Sequence, residues 1–304
     1  MSRLPLELCV LVIAFAAVER SAGPIHDEDT GSCMETLEAC SLVCRAWYHY
    51  TIPHIWSSIT VAILPPISEW EYEGSPDILA YQGWYMQRRG VRMLLADVLD
   101  IFQSNHRLMA SVRHFHLSFP STVGRSRLSA LPELVTFCKA LAPLPRFSWR
   151  VDELEDYTLF TPSFDIADDS SHPLGQMVTP FCNSPFLTIF AFSGSVFPFN
   201  VLKSMPNLKD VSFTNVRQCK VPSQQSSPNS FSFHLRRARF YGAESVYKHL
   251  IGKKGVFSQL EELTVSGGVY RVETDDSDLA TLLSLPKGTL KTIDIDINKS
   301  SDCK

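Results

Sequence analysis

The chain has 304 residues, of which 45% are hydrophobic and 20% charged; this is ordinary globular chemistry, and it excludes a wholly disordered or collagenous chain. A net charge of −4 with a pI near 6.1 argues against a general binder of nucleic acid or of anionic membrane surfaces. Glycine is scarce, 14 against 19 prolines, so there is no broad Gly-rich cradle for phosphate, and a chain of this length buries a core without help from disulfides or metal.

The first apolar run, Leu8 to Val18, spans 11 residues. A membrane-crossing helix needs about 20, so no membrane span is expected. The run has the length of a leader core, with Arg3 before it and Ser21-Ala22-Gly23 after it. A secreted protein with a cleaved leader is therefore one alternative. Pro5, Glu7 and Glu19-Arg20 interrupt that pattern. The cysteines (Cys9, Cys33, Cys40, Cys44, Cys138, Cys182, Cys219 and Cys303) are too scattered for a disulfide framework. Reduced thiols in an intracellular protein are the better reading, and no dense basic run chooses nucleus over cytoplasm.

In chain order, residues 1–61 have helical character. Pro5 sits near a helix start, and Leu8, Leu11, Val12 and Phe15 follow at helical spacing. A polar loop covers residues 19–33. A second helical run begins near Met34 and carries Leu37, Cys40, Val43, Cys44 and Trp47, with Pro53 interrupting it. Ile55 to Ile63 looks extended, and Pro65-Pro66 breaks the chain. Residues 64–90 show no clear period. Arg92 to Asn105 is expected as a helix with Leu94, Leu95, Val98, Leu99 and Phe102 on one face.

Beyond this point short extended runs recur in the form apolar-x-x-apolar-x-apolar. They are Leu187/Phe190/Phe192, Leu208/Val211/Phe213, Leu235/Ala238/Phe240, Leu260/Leu263/Val265 and Leu290/Ile293/Ile295. Their starts lie 21, 27, 25 and 30 residues apart. Weaker copies start at Val112 (with Phe115 and Leu117) and Leu144 (with Phe147 and Trp149). A spacing of about 20–29 residues with this pattern is the signature of leucine-rich repeats, units that bury their apolar strand faces only by stacking. Glu244 to Ile251 and Ser277 to Leu285 have helical spacing between strands, Phe199 to Met205 fits one helical turn, and Val221 to Phe231 reads as an exposed loop. The expected fold class is α/β: a small N-terminal helical module (1–61), a linker and helix (62–111), and an irregular leucine-rich-repeat-like solenoid (112–304). An irregular α/β domain with amphipathic strands is the plainer alternative.

Catalytic chemistry finds no footing. No Gly-x-Ser-x-Gly elbow and no P-loop occur. Cys40, Cys44, His49 and His54 imitate zinc spacing but fall in one apolar helical run, whereas structural zinc ligands pair across turns. His114 and His116 share a strand face without a third ligand in the sequence nearby. The acidic groups around Asp168 and Asp276 lack an EF-hand pattern. No catalytic residue, metal or cofactor is assigned, and the chain is expected not to be an enzyme.

Two stretches together carry a resemblance. Leu4-Pro5-Leu6-Glu7-Leu8, followed by Thr36-Leu37-Glu38-Ala39-Cys40-Ser41-Leu42-Val43-Cys44-Arg45-Ala46-Trp47 and then Ile55-Trp56-Ser57-Ser58-Ile59-Thr60-Val61, resembles an F-box. The continuation from Arg92 through Val112 to Leu117 is similar to the segment preceding the repeats in fungal, basidiomycete-like F-box proteins. The stretch 19–33 makes the gap between the two halves longer than in the usual box. The resemblance implies docking on the Skp-type adaptor of a Skp–cullin–F-box ubiquitin ligase through outward apolar side chains, here Leu4, Pro5, Leu8, Leu42, Val43 and Trp47. The repeats would then hold a protein substrate of unknown identity, with no nucleic acid and no membrane as partner. Residues between the inward apolar positions line the substrate face: Asp210, Ser212 and Thr214; Arg237, Arg239 and Tyr241; Glu262, Thr264 and Ser266; Thr292, Asp294 and Asp296. That face changes from basic at Arg237 and Arg239 to acidic at Asp294 and Asp296, a polarity able to orient a partner. A repeat-based interaction scaffold with no ligase connection remains the second alternative.

Overall fold

The structure, a computed structural model, describes residues 31–63, 84–88, 91–120, 132–141, 143–152, 173–194, 196–220, 231–253, 255–266, 276–286 and 288–296. The chain is mixed α/β and divides into two compact units, Met1–His116 and Leu117–Lys304.

In the first unit, helix α1 (Gly31–Val43) and helix α2 (Arg45–Ile55) pack against each other. The run that periodicity joins from Met34 to Trp47 is in fact broken at Cys44. That residue is extended (φ −164°, ψ 170°), and its carbonyl accepts the first α2 bond from Tyr48 N at 3.0 Å. A one-residue break between two helices does not disturb apolar spacing enough to be seen in sequence. Gly31 to Cys33, expected in the polar loop, open α1. Pro53 does not interrupt α2 but lies inside its last turn, where the missing N–H forfeits a single bond to the His49 carbonyl. Thr51 and Ile55 form the buried stripe of α2, and the Thr51 hydroxyl donates to the Trp47 and Tyr48 carbonyls at 2.9 and 3.2 Å.

Strand β1 (Ser58–Ile63) starts three residues later than expected, because Ile55 and Trp56 still belong to the end of α2. It pairs antiparallel with β2 (Trp84–Arg88), which pairs antiparallel with β3 (Val91–Leu94), in the register Val61↔Met86↔Met93. Residues 84–88 thus fall in a stretch where no period was visible. Arg92 to Leu94 are strand and not helix; helix α3 runs Leu95–Ser104. No breaker separates β3 from α3, so the apolar pattern alone misplaces that boundary. Phe102 of α3 meets Trp56 edge-on at 5.3 Å, and both rings are buried with Leu37, Ile59 and Val61. A short helix α4 (His106–Ser111) leads into β4 (His114–Pro120), at whose start Arg113 N, just before the strand, and His114 N both donate to Ser57 O.

In the second unit, β5 (Arg146–Asp152), β6 (Ile189–Ser193), β8 (Asp210–Thr214), β10 (Arg237–Tyr241), β11 (Glu262–Ser266) and β12 (Thr292–Asp296) lie side by side in that order, all parallel. The ladder aligns Phe147, Phe190, Val211, Ala238, Leu263 and Ile293 in one row. A second row holds Trp149, Phe192, Phe213, Phe240, Val265 and Ile295. These are the positions that the sequence repeat places in line, including its weaker copy at Leu144. The strand starts repeat as well. Pro145 O accepts from Thr188 N and Ile189 N, Thr188 O from Lys209 N and Asp210 N, and Lys209 O from Arg236 N and Arg237 N. Arg236 O and Glu261 O continue the same arrangement. Two short strands, β7 (Val196–Pro198) and β9 (Gln218–Lys220), pair separately in parallel.

The segments between strands carry helices: α5 (Pro132–Leu141), α6 (Pro173–Cys182), a 3-10 turn (Phe199–Ser204), α7 (Glu244–Ile251) and α8 (Asp276–Ser284). Each packs on a neighbour, α5 on α6, α6 on the 3-10 turn and α7 on α8. One sheet face is buried under this layer. Phe147 stacks on Phe181 of α6 at 4.4 Å, and Phe240 meets Tyr247 of α7 at 5.6 Å. Along the sheet Phe190, Phe197, Phe213 and Phe240 form a continuous aromatic row with centroids 5.0 to 6.2 Å apart. Phe231, expected in an exposed loop, is buried 5.6 Å from Phe199 and 5.0 Å from Phe233; residues 221–230 lie outside the described residues.

Candidate functional site

Two surfaces bear on function. In the first unit, Leu37 and Cys40 turn inward from α1, whereas Leu42 is 86% and Val43 63% exposed. They sit at the end of α1, beside the Cys44 break. A continuous helix would have carried the next apolar residues around its axis; the break leaves Leu42 and Val43 at an elbow instead. Trp47 is half-buried and follows the same i, i+4 stripe as Thr51 and Ile55. Tyr48 and Tyr50 are exposed on α2; sequence spacing does not single them out, since neither departs from the helical pattern. Leu4, Pro5 and Leu8 lie outside the described residues.

The second surface is the sheet face opposite the helix layer. Alternation along β8, β10 and β11 turns every second residue away from the core. The register gathers them into rows. Asp210, Arg237, Glu262 and Thr292 form one; Ser212, Arg239, Thr264 and Asp294 the next; Thr214, Tyr241, Ser266 and Asp296 the third. Ser212, Thr214, Arg239, Tyr241 and Thr264 are half-buried, and Arg237 and Asp294 are exposed; the side chain of Asp296 lies outside the described residues.

Arg146 of β5 belongs to this face too, since Arg146↔Ile189↔Asp210↔Arg237 is one ladder row. It escapes attention in the sequence because its repeat is a weak copy, although two residues after Leu144 is the position of Asp210 after Leu208 and Arg237 after Leu235. Arg237 donates to the Asp210 carboxylate. That bond, with Glu262 and Glu261 nearby, holds the Arg237 guanidinium more firmly protonated than usual. Arg146 is placed differently. Burial, and then the nearby Arg239, lower its affinity for its proton, with Asp210 acting the other way and Arg237 adding to the decrease. Its Nε is buried and makes no hydrogen bond. The face is more closed at this end, where Ser148 and Ala191 are buried.

Other groups lie apart from these surfaces. The Ser58 hydroxyl is 3.4 Å from His114 Nδ1. Cys40 is buried while Cys44 is exposed at the helix break, so the two do not converge as zinc ligands, and the run that holds them is not one helix. Burial pushes the Cys138 thiol up to about 12 and raises Cys182 further. Among the described residues no cluster of His, Cys, Asp and Glu is suited to hold a metal ion, and no helix is long and apolar enough to cross a membrane. Comparison with protein families, with curated proteins and with solved structures finds no match for this chain.

Proposed function

We propose that the chain is a substrate-recruiting adaptor of a Skp–cullin–F-box ubiquitin ligase, its N-terminal helices docking the Skp-type adaptor and a leucine-rich-repeat-like solenoid holding a protein substrate. The observation that carries this reading is the outward placement of Leu42 and Val43, 86% and 63% exposed beside buried Leu37 and Cys40. Large apolar side chains held in water next to a formed core mark a surface meant for another polypeptide. Burying one of them fully gains about 1.5–3 kcal/mol, enough for a few anchors to dominate an interface.

The repeat half is supported by the strand order, by the in-line apolar rows and by the recurring paired amides at each strand start. The sheet face opposite the helix layer, polar along β8, β10, β11 and β12, would offer its surface to a substrate. On this reading the chain carries out no bond chemistry; ubiquitin transfer takes place on partner subunits.

The test is capture of a purified Skp-type adaptor by the full-length protein, with Leu42→Asp/Val43→Asp beside it. Capture by the parent chain and its loss in the double variant, with unchanged circular dichroism, is the expected result. Equal capture by both proteins overturns the docking residues. No capture by the parent overturns the ligase connection and leaves the second reading, a repeat-based scaffold, which the open sheet face favours by itself.

A further inference from the structure

We propose that the face formed by β5, β8 and β10 binds an acidic peptide segment, with Arg146 and Arg239 taking its carboxylates and the Asp210–Arg237 pair fixing the edge of the site. The inference rests on reading this sheet face as the substrate surface and is independent of docking to a ligase.

Charge bookkeeping on the face leads to this assignment. Among the described side chains, three guanidinium groups project from one side of the sheet, Arg146, Arg237 and Arg239. Arg237 is answered by Asp210 directly, with Glu262 and Glu261 near it. Among the described residues, Arg146 has Arg239 and Arg237 as charged neighbours and Asp210 as an acid, and that carboxylate is already bonded to Arg237. Positive charge therefore accumulates toward β5, where the face is also most enclosed.

A buried N–H without a partner costs free energy that a bound acceptor recovers. Arg146 Nε is such a group. Guanidinium presents a planar fork that matches a carboxylate with two parallel bonds. Arg146 and Asp210 are separated by one strand, β6, and Arg239 lies one row further along β10. Strands are about 4.8 Å apart, so the strand positions of Arg146 and Arg239 lie three spacings, roughly 14 Å, apart, a span that takes acidic side chains about four residues apart in an extended peptide.

The opposite end of the same face excludes a longer polyanion. Glu262 and Asp294 continue the rows on β11 and β12, and would repel a phosphate backbone laid across the whole sheet. The ligand is accordingly a short acidic stretch, and its flank toward β12 is neutral or basic.

The experiment is fluorescence anisotropy of labelled oligoglutamate added to the full-length protein, with oligoglutamine and oligothymidylate as comparison probes. Oligoglutamate is expected to bind and oligoglutamine not. Arg146→Gln and Arg239→Gln should each weaken binding about tenfold or more, the loss of a charge-assisted bond. Lys139→Gln, on the exposed side of α5, should leave it unchanged. Arg239 is half-exposed, so its variant decides the question if Arg146→Gln does not fold. Absence of oligoglutamate binding, an equal loss in Lys139→Gln, or tighter binding of oligothymidylate overturns the proposal. Adaptor capture run on the same variants separates the two readings: capture retained without peptide binding defeats this inference alone, and peptide binding without capture defeats only the ligase connection.

Discussion

Leu37 and Leu42 are five residues apart in one helix and have opposite fates, the first fully buried and the second almost fully in water. Leu37→Ala is expected to destabilise the protein by about 2–5 kcal/mol, the loss of burial plus the cavity left behind. Leu42→Ala should change stability by no more than about 0.5 kcal/mol. Chemical denaturation of both variants checks the contrast; a large loss in Leu42→Ala would place that side chain in a core and remove the reason to regard it as a docking residue. A second residue-scale feature is Asn215, at φ 56° directly after β8, with its amide donating to Tyr241 O at 2.7 Å. Gly242 after β10 has φ 58° and donates likewise to Ser266 O at 2.8 Å. A side chain branched at Cβ is strained in this conformation, so Asn215→Val should cost about 1–2 kcal/mol and Asn215→Gly close to nothing, as read from the midpoint of urea unfolding. The signal is present in the sequence: Asn215 and Gly242 each stand seven residues after a repeat's leucine. It is hard to see because two residue types share the role. Arg146 does not stand out in the sequence for a related reason, since charge on a strand face is interpretable only once the register of distant strands is known.

Among the elements, legibility followed how each one is held in place. Strands β8, β10 and β11 are legible because each buries alternate residues against a helix layer, which forces a regular pattern on the sequence. Helix α7 matches its expected bounds, Glu244–Ile251, for the same reason. The hairpin of β2 and β3 was invisible. Its strands are five and four residues long, and β3 runs directly into α3, so no turn signal punctuates the change of period. The Cys44 break was hidden in the same way, by continuity of apolar residues across it. Packing differences between elements are also measurable. Phe213 in β8 is fully buried between the rings of Phe190, Phe197 and Phe240, and Phe213→Ala should cost about 3–5 kcal/mol. Ile293 occupies the same row as Val211 but on β12 is 52% exposed, so Ile293→Ala should cost about 1 kcal/mol or less. Similar losses from the two variants in thermal unfolding would show that β12 is packed as tightly as β8.

At the scale of the whole molecule, the repeat makes a stronger statement than any single strand. The parallel strands follow one another in sequence order, so each interior strand pairs with the array strand before it and the one after it. The spacing of the apolar triplets anticipates the register of six strands, because aligning identical positions stacks the triplets, burying them from β5 to β11 while Ile293 on the edge strand β12 stays 52% exposed. It did not foretell how the ends are finished. Interior strands β8 and β10 pair on both edges, whereas β12 pairs only with β11 among the described residues. Opening should therefore be graded along the array, with local free energies rising from the edge strand β12 toward the aromatic row around Phe213. Native-state hydrogen exchange measures this directly. The amides of Phe213 and Phe240 should exchange slowest and those of Ile293 and Ile295 fastest among the parallel strands, the difference narrowing as denaturant brings global unfolding into competition. Equal protection from β6 to β12 at low denaturant would mean that the second unit opens all at once, and the graded account of its stability would then be wrong.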